Sequence, residues 1–450
     1  MDVVTLSRIQ FAVTVGYHFL FVPLSIGLGL IVVLAERRHY LSGLAEDQAA
    51  SNFWIKLFTA TFAVGVATGI AMEFAFGTNW AEYSRFVGDI FGAPLAAEAL
   101  FAFFMESTFL AILLFGRNRV SKKFFYVSTW LVWGGSMLSA LWIIIANSWM
   151  QTPAGYEIVT KPSGASAAIL TDFFAAALNP SMLPRYTHTV NATLAAGAFA
   201  ALAVAAYFLI KGKHIEFAKK SIGAALAVAA ITTALMLPLG HWQAATVVET
   251  QPSKIAAMEG MWDDGPLPLG IVGWVNEDAK STSSLEIPGF VSFLTYWNFD
   301  TVSKGLNSFP ADEIPPVNLT YQTYHGMILL WGAMVLLVAW IWWARRKGTL
   351  ESNKLLLKLM LWGPVVPMLA IQLGWAAAEV GRQPWIVWGE LKTVDAVSTA
   401  VPAGEVVTTL LLFTAFYTLL YVAWARVVIS YIKKGPELPE AASAKNGEVA

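Results

Sequence analysis

Nine long apolar runs constrain what this 450-residue chain can fold into. They cover residues 9–34, 53–76, 93–115, 124–146, 189–210, 222–239, 319–343, 359–378 and 406–429. Each is close to the ~20 residues that a helix needs to cross a bilayer. Only helices or closed barrels satisfy their backbone in lipid. The expected fold is therefore all-α, a polytopic membrane bundle of about nine transmembrane helices. Composition agrees: 57% of residues are hydrophobic and 13% charged, against roughly 25% charged in a soluble domain. The start of the chain has no basic region or cleavage site, so the first run is expected to be a retained span.

Charge orients the bundle. Arg37 and Arg38 follow the first run; Arg117, Arg119, Lys122 and Lys123 the third; Lys211, Lys213, Lys219 and Lys220 the fifth; Arg345, Arg346, Lys347 and Lys354 the seventh; Lys433 and Lys434 the ninth. By the positive-inside rule the N-terminus lies outside and the C-terminus in the cytoplasm. The chain divides into residues 1–239 (helices 1–6), 240–318 (an extracytoplasmic loop), 319–434 (helices 7–9) and 435–450, a polar cytoplasmic tail expected to be disordered. A net charge of -1 argues against nucleic acid as a partner. With no cysteine, disulfides, iron–sulfur clusters, thiolate zinc and CxxCH haem attachment are excluded. A metal would have to sit on His, Met, Glu or Asp.

Ionisable groups inside apolar spans are expensive and mark function by default. The stretch GWAAAEVGRQPW closes the eighth run, which Pro364 and Pro367 should bend, and it carries Trp375, Glu379 and Arg382. His18 lies roughly 14 Å below the outer end of helix 1, Met327 roughly 12 Å down helix 7 and Glu98 roughly 8 Å down helix 3, at ~1.5 Å per residue. His188 and Glu379 sit at the outer ends of helices 5 and 8. Five helices thus place candidate ligands in the outer half of the membrane, where scattered core residues would favour neither leaflet. His and Met are common axial ligands of haem iron. Arg8, Arg185 and Arg382, at outer helix ends, could pair haem propionates.

These residues carry a resemblance. LSRIQFAVTVGYHFLFVPLSIG, GIAMEFAFGTNW, EALFAFFMESTFLAILLFG, ALWIIIANSWMQTP, QPSKIAAMEG and GWAAAEVGRQPW resemble subunit I of the cytochrome bd quinol oxidases, in the family's order and along nearly the whole chain. The resemblance implies that His188 and Met327 are the axial pair of a low-spin haem b558. His18 and Glu379 would be ligands of two high-spin haems, b595 and d (or a third haem b). Glu98 would stand beside the oxygen-reactive haem, Glu106 next on its proton route, and Trp375 between haems. Lys254 and Glu259 would contact quinol in a short Q-loop. It further implies a second large subunit (subunit II) or a paralogous subunit I copy, a single-helix small subunit, membrane quinone and oxygen as partners, and the prokaryotic cytoplasmic membrane as location. One departure stands out: His325 replaces the family's Arg two residues before Met327, and as a His it could itself compete as ligand.

The expected activity is quinol oxidation at the loop and oxygen reduction to water at a high-spin haem. With haems in the outer half and protons drawn from the cytoplasm, turnover would separate charge without a pump. Two other readings are a haem b-only quinol-oxidising relative and a proton-coupled transporter using the same Glu and His residues. On helix 3, Glu98 and Glu106 are eight residues apart, ~80° and ~12 Å in α-helical geometry. Ser107, Ser136 and Ser139 could extend a polar path from them.

Overall fold

The computed structural model describes residues 2–162 and 164–438. Among these, nine helices are long and apolar enough to cross a membrane. They are α1 Val3–Ser42, α2 Ala45–Thr78, α3 Ala81–Phe115, α4 Lys122–Gln151, α5 Met182–Lys211, α6 Ile215–Thr250, α7 Val317–Arg346, α8 Lys354–Val380 and α9 Ala403–Lys434. Every predicted run falls inside one of them. Among the described residues, strands occur only as short antiparallel pairs in the connections, such as Leu269–Asn276 with Ser281–Ile287. The all-α expectation therefore holds. Most of the predicted tail, residues 439–450, lies outside the described residues.

Local chemistry sets the helix ends. Asp2 caps α1 by accepting the Thr5 N–H, and Gly43 ends it at a positive φ of 66°. Ser121 caps α4. The expected bend in α8 falls at Gly363 and Pro364, between Lys354–Trp362 and Val365–Val380, because proline has no N–H to continue the ladder. The two largest overshoots of the apolar runs lie at the end that carries the long connections. Thus α3 begins at Ala81, twelve residues before the predicted start, and α6 continues to Thr250. His241, expected at the end of α6, lies inside it.

The long connections, residues 152–181, 251–316 and 381–402, gather at one end. Trp388 N–H donates to the Met150 carbonyl at 2.9 Å, and Lys392 pairs with Asp312 at 2.6 Å. The two-residue turn between α2 and α3 joins these long connections, with Ser398 N–H donating to the Asn79 carbonyl at 2.9 Å; the other short connections gather at the opposite end, where Lys219 meets Glu351 at 3.0 Å. The short-loop end is solid: Phe53, Trp54, Phe58, Phe199, Leu202, Phe208, Ile222 and Leu356 form one buried core. Central α5 is the most buried helix and α9 the least. Ala195, Ala198, Ala201 and Ala205 are fully buried on α5, the small-residue pattern that lets helices approach closely in membranes. At the α1–α5 crossing a Cβ on Gly27 would lie 2.6 Å from the Gly197 Cα. Toward the long-loop end the bundle opens into a cavity.

Candidate functional site

The cavity measures about 1640 Å³, larger than the roughly 300–1,000 Å³ of ordinary small-molecule sites. His18 on α1, His188 on α5, Met327 on α7 and Glu379 on α8 all line it, as do Arg8, Glu98, Glu106, Arg185, Lys254, Trp375 and Arg382. Arg8 and Arg382, 374 positions apart in sequence, thus share one surface.

Each ligand candidate has a local structure that explains its availability. His18 Nδ1 lies 3.0 Å from the Thr68 hydroxyl. That hydroxyl spends its hydrogen on the Val64 and Gly65 carbonyls, so its oxygen accepts from Nδ1–H and the free lone pair of the imidazole falls on Nε2. His188 Nδ1 is buried with no protein hydrogen-bond partner. Met327 sulfur sits over Gly374, where a Cβ would come within 2.6 Å of it. Trp375 packs edge-on against Phe19, the neighbour of His18, at 5.9 Å between ring centroids.

Glu379 anchors a buried polar cluster. Its Oε2 accepts from Arg382 Nη2 at 2.5 Å and its Oε1 from Asn147 Nδ2 at 3.1 Å. Arg185 Nη2 stands 3.8 Å from Oε1 and also donates to Asn147 at 2.5 Å. Two guanidinium groups therefore face one carboxylate, and Arg382 Nε and Nη1, both buried, have no protein partner. The cluster thus keeps N–H donors free for a further acceptor. Arg8 is exposed on the same wall.

On α3, Glu98 opens a π-helical segment, Glu98–Phe103, a wider turn that often marks functional sites. The ~80° separation expected for Glu98 and Glu106 assumed an unbroken α-helix and does not apply. Both still reach the cavity. Ser139 donates to Glu98 Oε1 at 2.6 Å, and Glu106 packs over Gly135, whose Cβ would lie 2.6 Å from its Cγ. Ser136 lines the cavity beside them. Ser107 is off the cavity wall: it is exposed and donates to the Phe103 carbonyl of its own helix.

Lys254 and Glu259 lie on one short helix, Pro252–Glu259, and both are buried, at 1% and 2% exposure. Neither is a solvated loop charge. Lys254 Nζ donates to the Ala378 carbonyl at 2.8 Å and to Gln151 Oε1 at 2.9 Å. Burial, then the charge of Arg185, pushes its ammonium well below the usual lysine range. Glu259 points elsewhere, and is not on the cavity wall. Its Oε2 accepts the Gly270 N–H at 2.9 Å and faces His325 Nε2 at 3.4 Å. Burial pushes its carboxyl up, against the lowering effect of His325 and Gly270. His325 does not compete for the cavity. It is two residues, about 200° of helical turn, from Met327, and only Met327 lines the wall.

This chain matches the sequence model of the cytochrome bd terminal oxidase subunit I family over residues 6–436. It belongs to that family. Similar curated proteins are the cytochrome bd ubiquinol oxidase subunit 1 of Bacillus subtilis (strain 168), 39% identical over 97% of this chain and 95% of the relative, and the cytochrome bd-II ubiquinol oxidase subunit 1 of Escherichia coli (strain K12), 34% identical over 97% of each. Among solved structures, the bd oxidase of Geobacillus thermodenitrificans superposes with a TM-score of 0.89 at 29% identity, covering 97% of this chain and 99% of that one.

As a cytochrome bd subunit I, the chain is part of a quinol:oxygen oxidoreductase, a terminal oxidase. It is a multi-pass bacterial membrane protein that works with haem, quinol and a further subunit. The transporter reading falls with that membership. The wall fits haem: four ligand-capable side chains, a cavity larger than one small-molecule site and unpartnered guanidinium nitrogens suited to propionates. Sequence reasoning missed Thr68, Asn147 and Gln151, which orient His18, Glu379 and Lys254. It also passed over Glu73, a carboxylate in the GIAMEFAFGTNW stretch of α2 that lines the cavity. Its position inside an apolar span was the signal.

Proposed function

We propose that His188 and Met327 hold a low-spin haem b558, and that His18 and Glu379 each hold one of two high-spin haems, b595 and d. The observation that carries this is the convergence of these four side chains, from four helices, on one cavity. Bound there, haem supplies one-electron transfer and an iron at which oxygen is reduced. Thr68 fixes the tautomer of His18. Arg382 and Arg185 hold Glu379 in place and present spare N–H groups to propionates. Glu98 and Glu106 carry protons along α3 toward the cavity. The 251–316 connection takes the role of the Q-loop, with Glu259 as the base that receives a quinol hydrogen.

The long-loop end faces outside the cytoplasm in this reading, supported by the Lys and Arg excess at the short-loop end. Electrons then enter on the outer side while protons come from the inner side, so turnover separates charge without pumping. A subunit II covers part of the bundle. For orientation, cysteines replacing Lys280 and Lys347, both exposed, report better than one at buried Lys254. An impermeant reagent on intact cells should label only position 280.

A reduced-minus-oxidised spectrum of the purified complex tests the haem assignment. A broad red band is expected for haem d. Bands of b type alone would favour the haem b-only form, and a spectrum without haem bands would overturn the reading. His188→Ala should remove the low-spin signal. Met327→Leu should convert it to high spin or lower its potential.

A further inference from the structure

Two buried side chains in the 251–316 connection and α7 are aimed at each other and leave atoms over. His325 is 3% exposed. Its Nδ1 lies 2.9 Å from the Tyr321 carbonyl. A carbonyl only accepts, so Nδ1 carries the hydrogen and the ring is oriented by its own helix. The ring also lies 4.0 Å from the Tyr321 ring, tilted by 33°, and is set edge-on to Tyr324 at 5.1 Å. That leaves Nε2 facing Glu259 Oε2 at 3.4 Å, a charge contact outside hydrogen-bond geometry that holds a carboxylate only when Nε2 also carries a hydrogen. The same Oε2 accepts the Gly270 N–H. Glu259 Oε1 is buried with no protein partner.

Three elements therefore meet at one carboxyl oxygen. The strand Leu269–Asn276 brings the Gly270 amide, α7 brings His325, and the helix Pro252–Glu259 brings the acid. Glycine at 270 is required for the meeting: a Cβ there would lie 2.6 Å from His325 Nε2 and 3.0 Å from Tyr321 Oη. The hairpin is in turn fastened to α7, where Gln322 Nε2 donates to the Gly273 carbonyl at 2.8 Å, and to the end of the acid's helix, where the Thr282 hydroxyl donates to the Gly260 carbonyl at 2.6 Å.

We infer that His325 is a positioning residue for quinol oxidation: with the Gly270 amide it fixes Oε2 of Glu259, so that Oε1 is the atom that receives the quinol hydroxyl hydrogen. The inference rests on the reading of Glu259 as the quinol-side base. It assigns His325 to the Q-loop and not to the haem cavity, although Met327 is only two residues away. It also assigns a specific task to each carboxyl oxygen.

The test uses the assembled oxidase, ubiquinol-1 as donor, and tetramethyl-p-phenylenediamine as a donor that bypasses the loop. Asparagine places its amide where Nδ1 was and cannot reach Glu259; glutamine places its amide where Nε2 was. His325→Asn should lower kcat/KM for ubiquinol-1 at least tenfold, while the low-spin haem spectrum and phenylenediamine turnover stay at wild-type level. His325→Gln should stay within about threefold of wild type. Gly270→Ala, which pushes the ring aside without altering α7, should reproduce the asparagine defect and guards against a His325→Asn chain that does not assemble. The inference is overturned if asparagine and glutamine behave alike, if both donors lose turnover together, or if Gly270→Ala oxidises ubiquinol-1 normally. Glu259→Gln separates the two levels. If it oxidises ubiquinol-1 at wild-type rate, the base reading itself is wrong. If it fails while His325→Asn does not, the base stands and the positioning role falls.

Discussion

The two ends of the bundle each contain a buried arginine–glutamate pair, and the pairs differ in how completely they are satisfied. At the short-loop end, both Glu36 oxygens accept from Arg117 Nη1, at 2.8 and 2.7 Å, while Arg117 Nη2 and Glu36 share the Ser51 hydroxyl. The guanidinium lies over the Phe125 ring at 3.8 Å, and only Nε has no partner. At the long-loop end, Arg382 uses one nitrogen on Glu379 and leaves two buried and unpartnered, with Arg185 adding a second cation. The first pair is closed within the protein and belongs to a solid core. The second borders a cavity and has capacity to spare. Buried charge alone does not separate architecture from function; the count of partners does.

Substitutions can break that contrast, beginning with the largest effect. Glu36→Ala leaves Arg117 buried without its counter-charge, which typically costs about 3–5 kcal/mol. Thermal unfolding of the complex should show the loss, while haem content per folded molecule stays constant. Glu379→Gln keeps the shape of the side chain but removes the charge and a proposed ligand. We expect at least one high-spin haem signal to vanish and oxygen consumption to fall by ~100-fold, ~2.7 kcal/mol in barrier, with less effect on melting than Glu36→Ala. If the two variants exchange phenotypes, the contrast is wrong.

The nine spans were legible in the sequence because hydropathy over twenty residues needs no knowledge of partners. The helix ends were less so: Glu82, Arg85 and Asp89 dilute the apolar signal at the start of α3, where the helix nevertheless continues. The ligand candidates were legible as His, Met and Glu within or at the ends of apolar runs, and all four reached the cavity. What stayed hidden depends on contacts across the sequence. Lys254 reads as a surface lysine until Gln151 and Ala378, 103 and 124 residues away, arrive to bury it. The π-helical turn at Glu98 leaves no mark in residue spacing, so helical-wheel arithmetic could not give the angle between Glu98 and Glu106.

Smaller effects sharpen the picture. Glu106→Gln retains most hydrogen bonding but cannot release a proton. It should keep haem and slow oxygen reduction about tenfold, read as a delay in the proton-coupled phase after flash-initiated oxygen binding. Glu259 titrates above the usual carboxylate range because it is buried, and it accepts a hydrogen only when deprotonated. Ubiquinol turnover should therefore rise with pH through that raised value and flatten above it, and the rising limb should vanish in Glu259→Gln. The smallest effect belongs to Lys56 and Glu437, an exposed pair at the short-loop end, 3.1 Å apart. Lys56→Ala should change stability by less than about 1 kcal/mol.

The crossing of α1 and α5 also acts as a ruler. Gly27 and Gly197 touch, and both helices run from the long-loop end to the short-loop end. His18 precedes Gly27 by nine residues, and His188 precedes Gly197 by nine. At ~1.5 Å per residue each imidazole thus stands about 14 Å from the shared origin, on the same level. Drift in sequence can replace almost any residue along these arms, but it cannot add or delete one on a single arm without tilting the pair. Among descendants of this chain, the lengths from 18 to 27 and from 188 to 197 should stay locked together, even where the letters between them no longer resemble each other.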